Sequence, residues 1–241
     1  MIAMWLNLPM YYLDTSGFPQ PLSAASRFGG TRMSEYKGSN GSFLIVDDTI
    51  YSGKAIKNFI PCILEDMYTC CVYFRPESEF KPDFYAIELK APHLLEWNLF
   101  NCTYIKHTLL DFDGILSPDV PVDICRDEEL YKDYIRNVEP FYHRISKFKC
   151  KGIVTARLEK YRGITEEWLH RHGIEYGSLT MMPDNMEEER NKNHVEVSSA
   201  YKAKYFCESD AKFFIESDIS EAIRIRKKSG KLVICPEEKD G

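Results

Sequence analysis

Two stretches of this chain end an apolar run in paired carboxylates. FLIVDDTIYSGKAI, at 43–56, sets Asp47 beside Asp48 and follows them with a small-residue turn at Ser52 and Gly53. HTLLDFDGIL, at 107–116, sets Asp111 and Asp113 two residues apart. The first pattern suits phosphate binding: N–H groups of a turn and of a helix N-terminus point at the ligand, and the helix dipole favours an anion. Gly53 lets the backbone approach closely, and Thr49, Ser52 and Lys54 add side-chain donors. Asp47 and Asp48 accept from sugar hydroxyls, directly or through Mg²⁺. A phosphorylated sugar satisfies both halves. No G-x-x-x-x-G-K-[ST] pattern occurs, so this is not a Walker A loop.

The second pattern suits phosphoryl transfer. Residues two apart on a strand share a side, so Asp111 and Asp113 converge on Mg²⁺ and divide the work. One attacks phosphorus as a nucleophile. The other is general acid for the leaving group and then general base for water. The metal offsets the repulsion between carboxylate and phosphate. Three later stretches complete the set. GIVTAR ends a strand at Thr155, whose hydroxyl and N–H suit a phosphoryl oxygen. SAYKAKYF offers Lys202 and Lys204 to neutralise developing charge. FFIESD ends a strand at Glu216 and Asp218, which suit the metal.

Strands and helices must hold these groups. Apolar runs at 10–14, 43–48, 70–74 and 84–89 read as buried strands, with a helical pattern at 55–66. A second set of strands reads at 104–114, 150–156, 211–218 and 230–236, with helices at 164–174 and 219–229. Strands alternating with helices imply parallel sheets covered by helices. The expected fold is α/β, with two Rossmann-like domains, 1–98 and 99–241, each with helices on both faces of its sheet. Residues 15–42 are rich in Gly, Ser and Pro and read as a long functional loop. The segment 117–149 reads as short and helical, which leaves room for only a minimal cap over the second site. Such an open site takes a bulky substrate, or borrows a cover from the first domain or from another subunit of a homo-oligomer.

The bulk numbers narrow the field. Of 241 residues, 44% are hydrophobic and 28% charged, enough for substantial cores. The net charge of −6 argues against binding a nucleic-acid duplex. No apolar run reaches membrane-spanning length, and the opening MIAMWLNLPM has neither a basic region nor a cleavage site. Eight scattered cysteines, without a C-x-x-C pair, fit reduced thiols and a cytoplasmic location. His170 and His172, 186–194 and the basic run 224–231 read as solvated surface. Trp5, Trp97 and Trp168 read as core or interface residues.

The stretch 43–56 resembles the PRPP-binding motif of type I phosphoribosyltransferases. The resemblance implies ribose hydroxyls on Asp47 and Asp48 and a 5′-phosphate cradled by Thr49, Ser52, Gly53, Lys54 and Ala55. It makes 15–42 the mobile hood of that family, with Arg27 and Arg32 facing phosphates. The family also has an earlier strand and a pyrophosphate loop. The opening MIAMWLNLPMYY matches the helix after that loop. The expectation is either a start upstream of Met1 or a remnant domain that binds a sugar phosphate without transferring it. Tyr51 stands where some members carry an acidic base.

Residues 104–236 resemble the haloacid dehalogenase-like (HAD) phosphatase superfamily, whose four motifs occur here in order. The resemblance implies Asp111 as nucleophile, Asp113 as acid/base, Thr155 as phosphate-binding hydroxyl, Lys202 as the motif lysine, and Mg²⁺ on Asp111, Asp113, Glu216 and Asp218, with Ser217 a further candidate. The expected function is a Mg²⁺-dependent phosphomonoesterase joined to a PRPP-type domain, acting on a nucleotide or sugar phosphate. Two alternatives stand beside it. One is a phosphoribosyltransferase with an accessory HAD domain. The other is a ligand-sensing first domain that regulates the phosphatase.

Overall fold

Alternation of apolar residues decides which faces each sheet can hide. The computed structural model describes residues 11–13, 19–21, 43–59 and 66–236. The chain divides into two units, Met1–His93 and Leu94–Gly241. In the first, β1 (Tyr11–Leu13) and β2 (Pro19–Pro21) form a two-stranded antiparallel sheet. The strand expected at 10–14 therefore belongs to an antiparallel pair and not to a parallel sheet. Its partner carries two prolines, which have no N–H to donate and so suit an edge. The rest of 15–42, with Arg27 and Arg32, lies outside the described residues.

Three parallel strands follow in spatial order: β3 (Phe43–Ile50), β4 (Met67–Phe74) and β5 (Phe84–Glu88). Helix α1 (Lys54–Phe59) lies between the first two in sequence. The remainder of the helix expected at 55–66 falls largely outside the described residues. A small core joins Ile50, Ile56, Cys71 and Phe74, with Phe80 packed against it. The apolar run at the start of β3 reads as a strand buried on both faces, but Leu44 is 57% exposed and Val46 64%. The face of β3 that carries Leu44 and Val46 is therefore open along most of its length and covered only at Ile50, while Ile45 and Thr49 are half-buried on the other side of the pleat.

The second unit is a five-stranded parallel sheet in the order β10-β9-β6-β7-β8. Its strands are β6 (Thr108–Leu110), β7 (Gly152–Leu158), β8 (Leu179–Met182), β9 (Phe213–Ile215) and β10 (Leu232–Ile234). The helices are α2 (Glu128–Asn137), α3 (Arg162–Arg171), α4 (Glu187–Lys192), α5 (His194–Glu208) and α6 (Ile219–Ser229). Period-2 geometry sends Leu109, Val154 and Phe214 to one face and Leu110, Ile153 and Ile215 to the other. The first set packs with Tyr201 and Phe206 of α5 and Ile225 of α6. The second packs with Leu99, Phe100, Phe112 and with Trp168 and Leu169 of α3.

Details differ from the sequence reading. The strand expected from 104 begins only at Thr108, because Thr103–His107 is a 3-10 helix. Strand β8 was not expected, and 186–194, expected as a solvated loop or helix end, is mostly α4. Between β6 and β7 the chain holds one ten-residue helix, α2, and short turns. Asp127 caps that helix by accepting from the N–H groups of Glu129 and Leu130. The segment is tied back to the sheet end: Arg144 donates to the carbonyl of Gly114 at 2.6 Å, and the Phe141 N–H to that of Leu116 at 2.9 Å. Among the described residues no helix is long and apolar enough to cross a membrane.

Candidate active site

The order of the five strands decides which strand ends lie side by side. β7 and β8 lie to one side of β6, and β9 and β10 to the other. The winding of the sheet therefore reverses between β6 and β9. A crevice opens outside the C-terminal strand ends at such a reversal. Leu110 is in register with Ile215 of β9 and Ile153 of β7. The residues that follow Leu110 and Ile215 are Asp111 and Glu216, so two carboxylates leave the sheet side by side. The Asp111 N–H completes the ladder by donating to the carbonyl of Ile215 at 2.9 Å.

Lys202 comes up between them from α5. It is 3% exposed. Its ammonium donates to Asp111 Oδ2 at 2.8 Å, Glu216 Oε2 at 2.7 Å and Glu221 Oε2 at 2.8 Å. An ammonium has three N–H bonds, so all three are used. Burial alone would lower the lysine's affinity for its proton. The charges of Asp111, Glu216 and Glu221 outweigh that and carry its pKa well above the ordinary 10.5. Asp111 moves upward too, chiefly through burial and then through the charge of Glu216, against the pull of Lys202. Glu221 is pushed up by burial, but His194 and Lys202 hold it below the usual glutamate range. Lys204, the other candidate, is exposed near the Tyr205 ring.

Asp113 faces a different cation. Its carboxylate accepts from Arg157 Nε at 2.9 Å and Nη2 at 2.6 Å, a side-on fork. The Arg157 guanidinium carbon lies 3.7 Å from the centre of the buried Phe112 ring. The Arg157 backbone N–H donates to Thr155 Oγ1 at 3.1 Å. Thus Asp111 and Asp113, expected to converge on one metal, each hold a basic side chain. Thr155 joins Asp113 through Arg157. Gly114 follows in the left-handed region at φ 73°, and a Cβ there would meet the Ser217 side chain at 2.5 Å. Ser217 in turn donates to the carbonyl of Asp113 at 3.1 Å. Asp218 Oδ1 accepts from the N–H of Glu221 at 2.8 Å and caps α6.

Arg157 and Glu221 are members of this cluster that the sequence reading missed. Arg157 lies two residues after Thr155 on β7, where the register with β8 shifts between Thr155 and Leu158, so strand period alone does not place its side chain. Glu221 stands three residues after the capping Asp218, the spacing of a capping box.

In the first unit, Asp47 and Asp48 are strand neighbours that point to opposite faces. Asp47 is half-buried, and burial first, then Asp48, raises its pKa. Its Oδ1 accepts from the N–H of Asp48 at 2.9 Å, and Asp48 is exposed. The Thr49 hydroxyl is hydrogen-bonded to His93 Nε2, whose ring stacks edge-on with Tyr51. Ser52 Oγ accepts from the N–H of Lys54 at 3.3 Å. Gly53 adopts φ 74°, where a Cβ would lie 2.5 Å from that of Phe80. Lys54 and Ala55, exposed, open α1.

No group of three His, Cys, Asp or Glu side chains among the described residues converges in a way that could hold a metal ion. No protein-family model matches the chain, and no curated protein or solved structure matches it.

Proposed function

We propose that the chain hydrolyses phosphate monoesters in its second unit, as a haloacid dehalogenase-like enzyme, and binds a phosphorylated sugar in its first. The observation that carries the reading is the gathering of Asp111, Asp113, Thr155, Lys202 and Glu216, from four separate stretches of sequence, at the reversal point of a parallel sheet. Asp111 is the nucleophile. Its carboxylate oxygen attacks phosphorus as the ester P–O bond breaks, and the leaving oxygen takes a proton from Asp113. Asp113 then removes a proton from water, which attacks the phosphoryl-aspartate and releases inorganic phosphate with Asp111 restored.

Mg²⁺ is proposed on the donor type alone, since carboxylates are hard oxygen ligands and no three of them converge as a metal cage among the described residues. Asp111 and Glu216 are the residues that would hold it, and it would offset the repulsion between Asp111 and the phosphate. In the first unit, the turn at 51–53 and the half-buried carboxylate of Asp47 support a phosphoribosyl-type ligand, with Asp48 on the opposite face of β3, and a nucleotide or sugar phosphate is the fitting substrate class. The test is Mg²⁺-dependent phosphate release from a panel of nucleotides and sugar phosphates, wild type beside Asp111→Asn. Release by the wild type that falls by orders of magnitude in the variant supports the reading. A wild type inert on the whole panel rejects it.

A further inference from the structure

The cationic donor with hydrogen bonds left to give at this site is not the lysine. Lys202 spends its three N–H bonds on Asp111, Glu216 and Glu221. Arg157 has five donors and uses its Nε–Nη2 side on Asp113. Among the described residues nothing accepts from its Nη1, although the side chain is only 1% exposed. A buried N–H without a partner is uncommon and calls for a cause. The fork on Asp113 fixes one edge of the guanidinium, and the Phe112 ring fixes its plane. What remains is the end-on edge, two N–H bonds of Nη1 and one of Nη2, in the geometry that takes two oxygens of a phosphate or carboxylate.

A second arginine is tied to the backbone beside the first. Arg190 donates from Nη1 to the carbonyl of Ala156, the residue before Arg157, at 2.8 Å. Its buried Nε also lacks a partner among the described residues. Arg157, on the Asp113 carboxylate, and Arg190, on the neighbouring backbone, therefore each hold an unspent buried donor.

We propose that the end-on edge of Arg157, with Arg190 tied to the backbone beside it, is the oxyanion-binding element of the site, and that it grips the non-bridging oxygens of the substrate's phosphoryl group while Lys202 holds the carboxylates in place. The proposal rests on the hydrolase reading and assigns within it the task that the lysine would otherwise perform. Arg157 thereby touches substrate, and Lys202 is a positioning residue.

The test is binding, not turnover. Inorganic phosphate is titrated into the full chain by calorimetry, for wild type, Arg157→Lys, Asp113→Asn and the double variant. Lysine keeps the charge but loses the planar edge. Phosphate affinity is expected to fall at least tenfold on Arg157→Lys in both the wild-type and the Asp113→Asn backgrounds. If Arg157 merely holds Asp113, the effect vanishes once Asp113 is asparagine, and the proposal is overturned. Unchanged affinity in either background, or no phosphate binding by the wild type, overturns it as well. Should Arg157→Lys fail to fold, Arg157→Gln against Asp113→Asn makes the same comparison with no buried carboxylate stranded. Turnover by a wild type whose phosphate affinity ignores Arg157 rejects this proposal alone. Phosphate capture through Arg157 without turnover of any monoester rejects the hydrolase reading alone.

Discussion

Replacing Lys202 with methionine keeps the length of the side chain and removes the ammonium that three buried carboxylates share. Asp111, Glu216 and Glu221 are all buried, and each lies 2.7 or 2.8 Å from that nitrogen. Removing one partner of a buried pair costs about 3–5 kcal/mol, because the other charge is left uncompensated. Three stranded carboxylates put Lys202→Met in that range at neutral pH, two to four powers of ten in the folding constant at about 1.4 kcal/mol per tenfold. The pH dependence follows from the direction of each shift. In the wild type the folded-state pKa of Lys202 lies above 10.5, so its contribution is complete below that value and is lost as pH rises through the raised one. In the variant, buried carboxyls without a counter-charge have raised folded-state pKa values. Their penalty is absent when they are protonated in both states and grows as pH rises from about 4 towards neutrality. Urea unfolding followed by circular dichroism, at neutral pH and near pH 4, measures both. A loss below about 1 kcal/mol at neutral pH, far under the cost of a stranded buried charge, would refute the reasoning. So would a gap between wild type and variant that does not narrow on acidification.

Three further outcomes are expected. Gly114→Ala puts a side chain on a residue at φ 73° and against Ser217; a loss of about 1–3 kcal/mol by urea unfolding should accompany lower phosphate release, and a neutral substitution would contradict the geometry. Asp127→Ala removes the cap of α2 and should cost about 1 kcal/mol by the same assay, and no loss would contradict the cap. Burial pushes the Cys150 thiol up to about 12, so mass spectrometry after brief alkylation of the folded chain should find exposed Cys207 modified and Cys150 untouched.

Local signals in the sequence carried furthest. Helix α6 runs Ile219–Ser229, the range its sequence implies, because a capping Asp218 starts it and Gly230, at φ 68°, stops it. Both devices act within a few residues. Strand β6 was harder. The strand expected at 104–114 is longer than the one formed, since Thr103–His107 is a 3-10 helix and ladder partners on β7 and β9 cover only Thr108–Leu110. Strand extent is decided by a neighbour distant in sequence, and an apolar run does not name that neighbour. The same distinction holds at the site. Asp111 and Glu216 are legible because each directly follows a strand's last residue, whereas Thr155, expected to end its strand, lies within β7, which continues to Leu158. That Arg157 answers Asp113, 44 residues away, and that Glu221 joins Lys202 are tertiary facts. The exposed Leu44 and Val46 show the converse: apolar residues state what a strand can bury, not what covers it.

The central claim is that Asp111 becomes covalently phosphorylated. The chain would be mixed with Mg²⁺ and the best monoester of the panel, quenched in acid within one turnover, digested, and examined by mass spectrometry for a phosphoryl group on the peptide containing Asp111. A phosphoryl group on Asp111 is the expected result, absent in Asp111→Asn and accumulating when Asp113→Asn slows the water step. Phosphate release by the wild type with no adduct on Asp111 at any quench time, or an adduct on another residue, would contradict it.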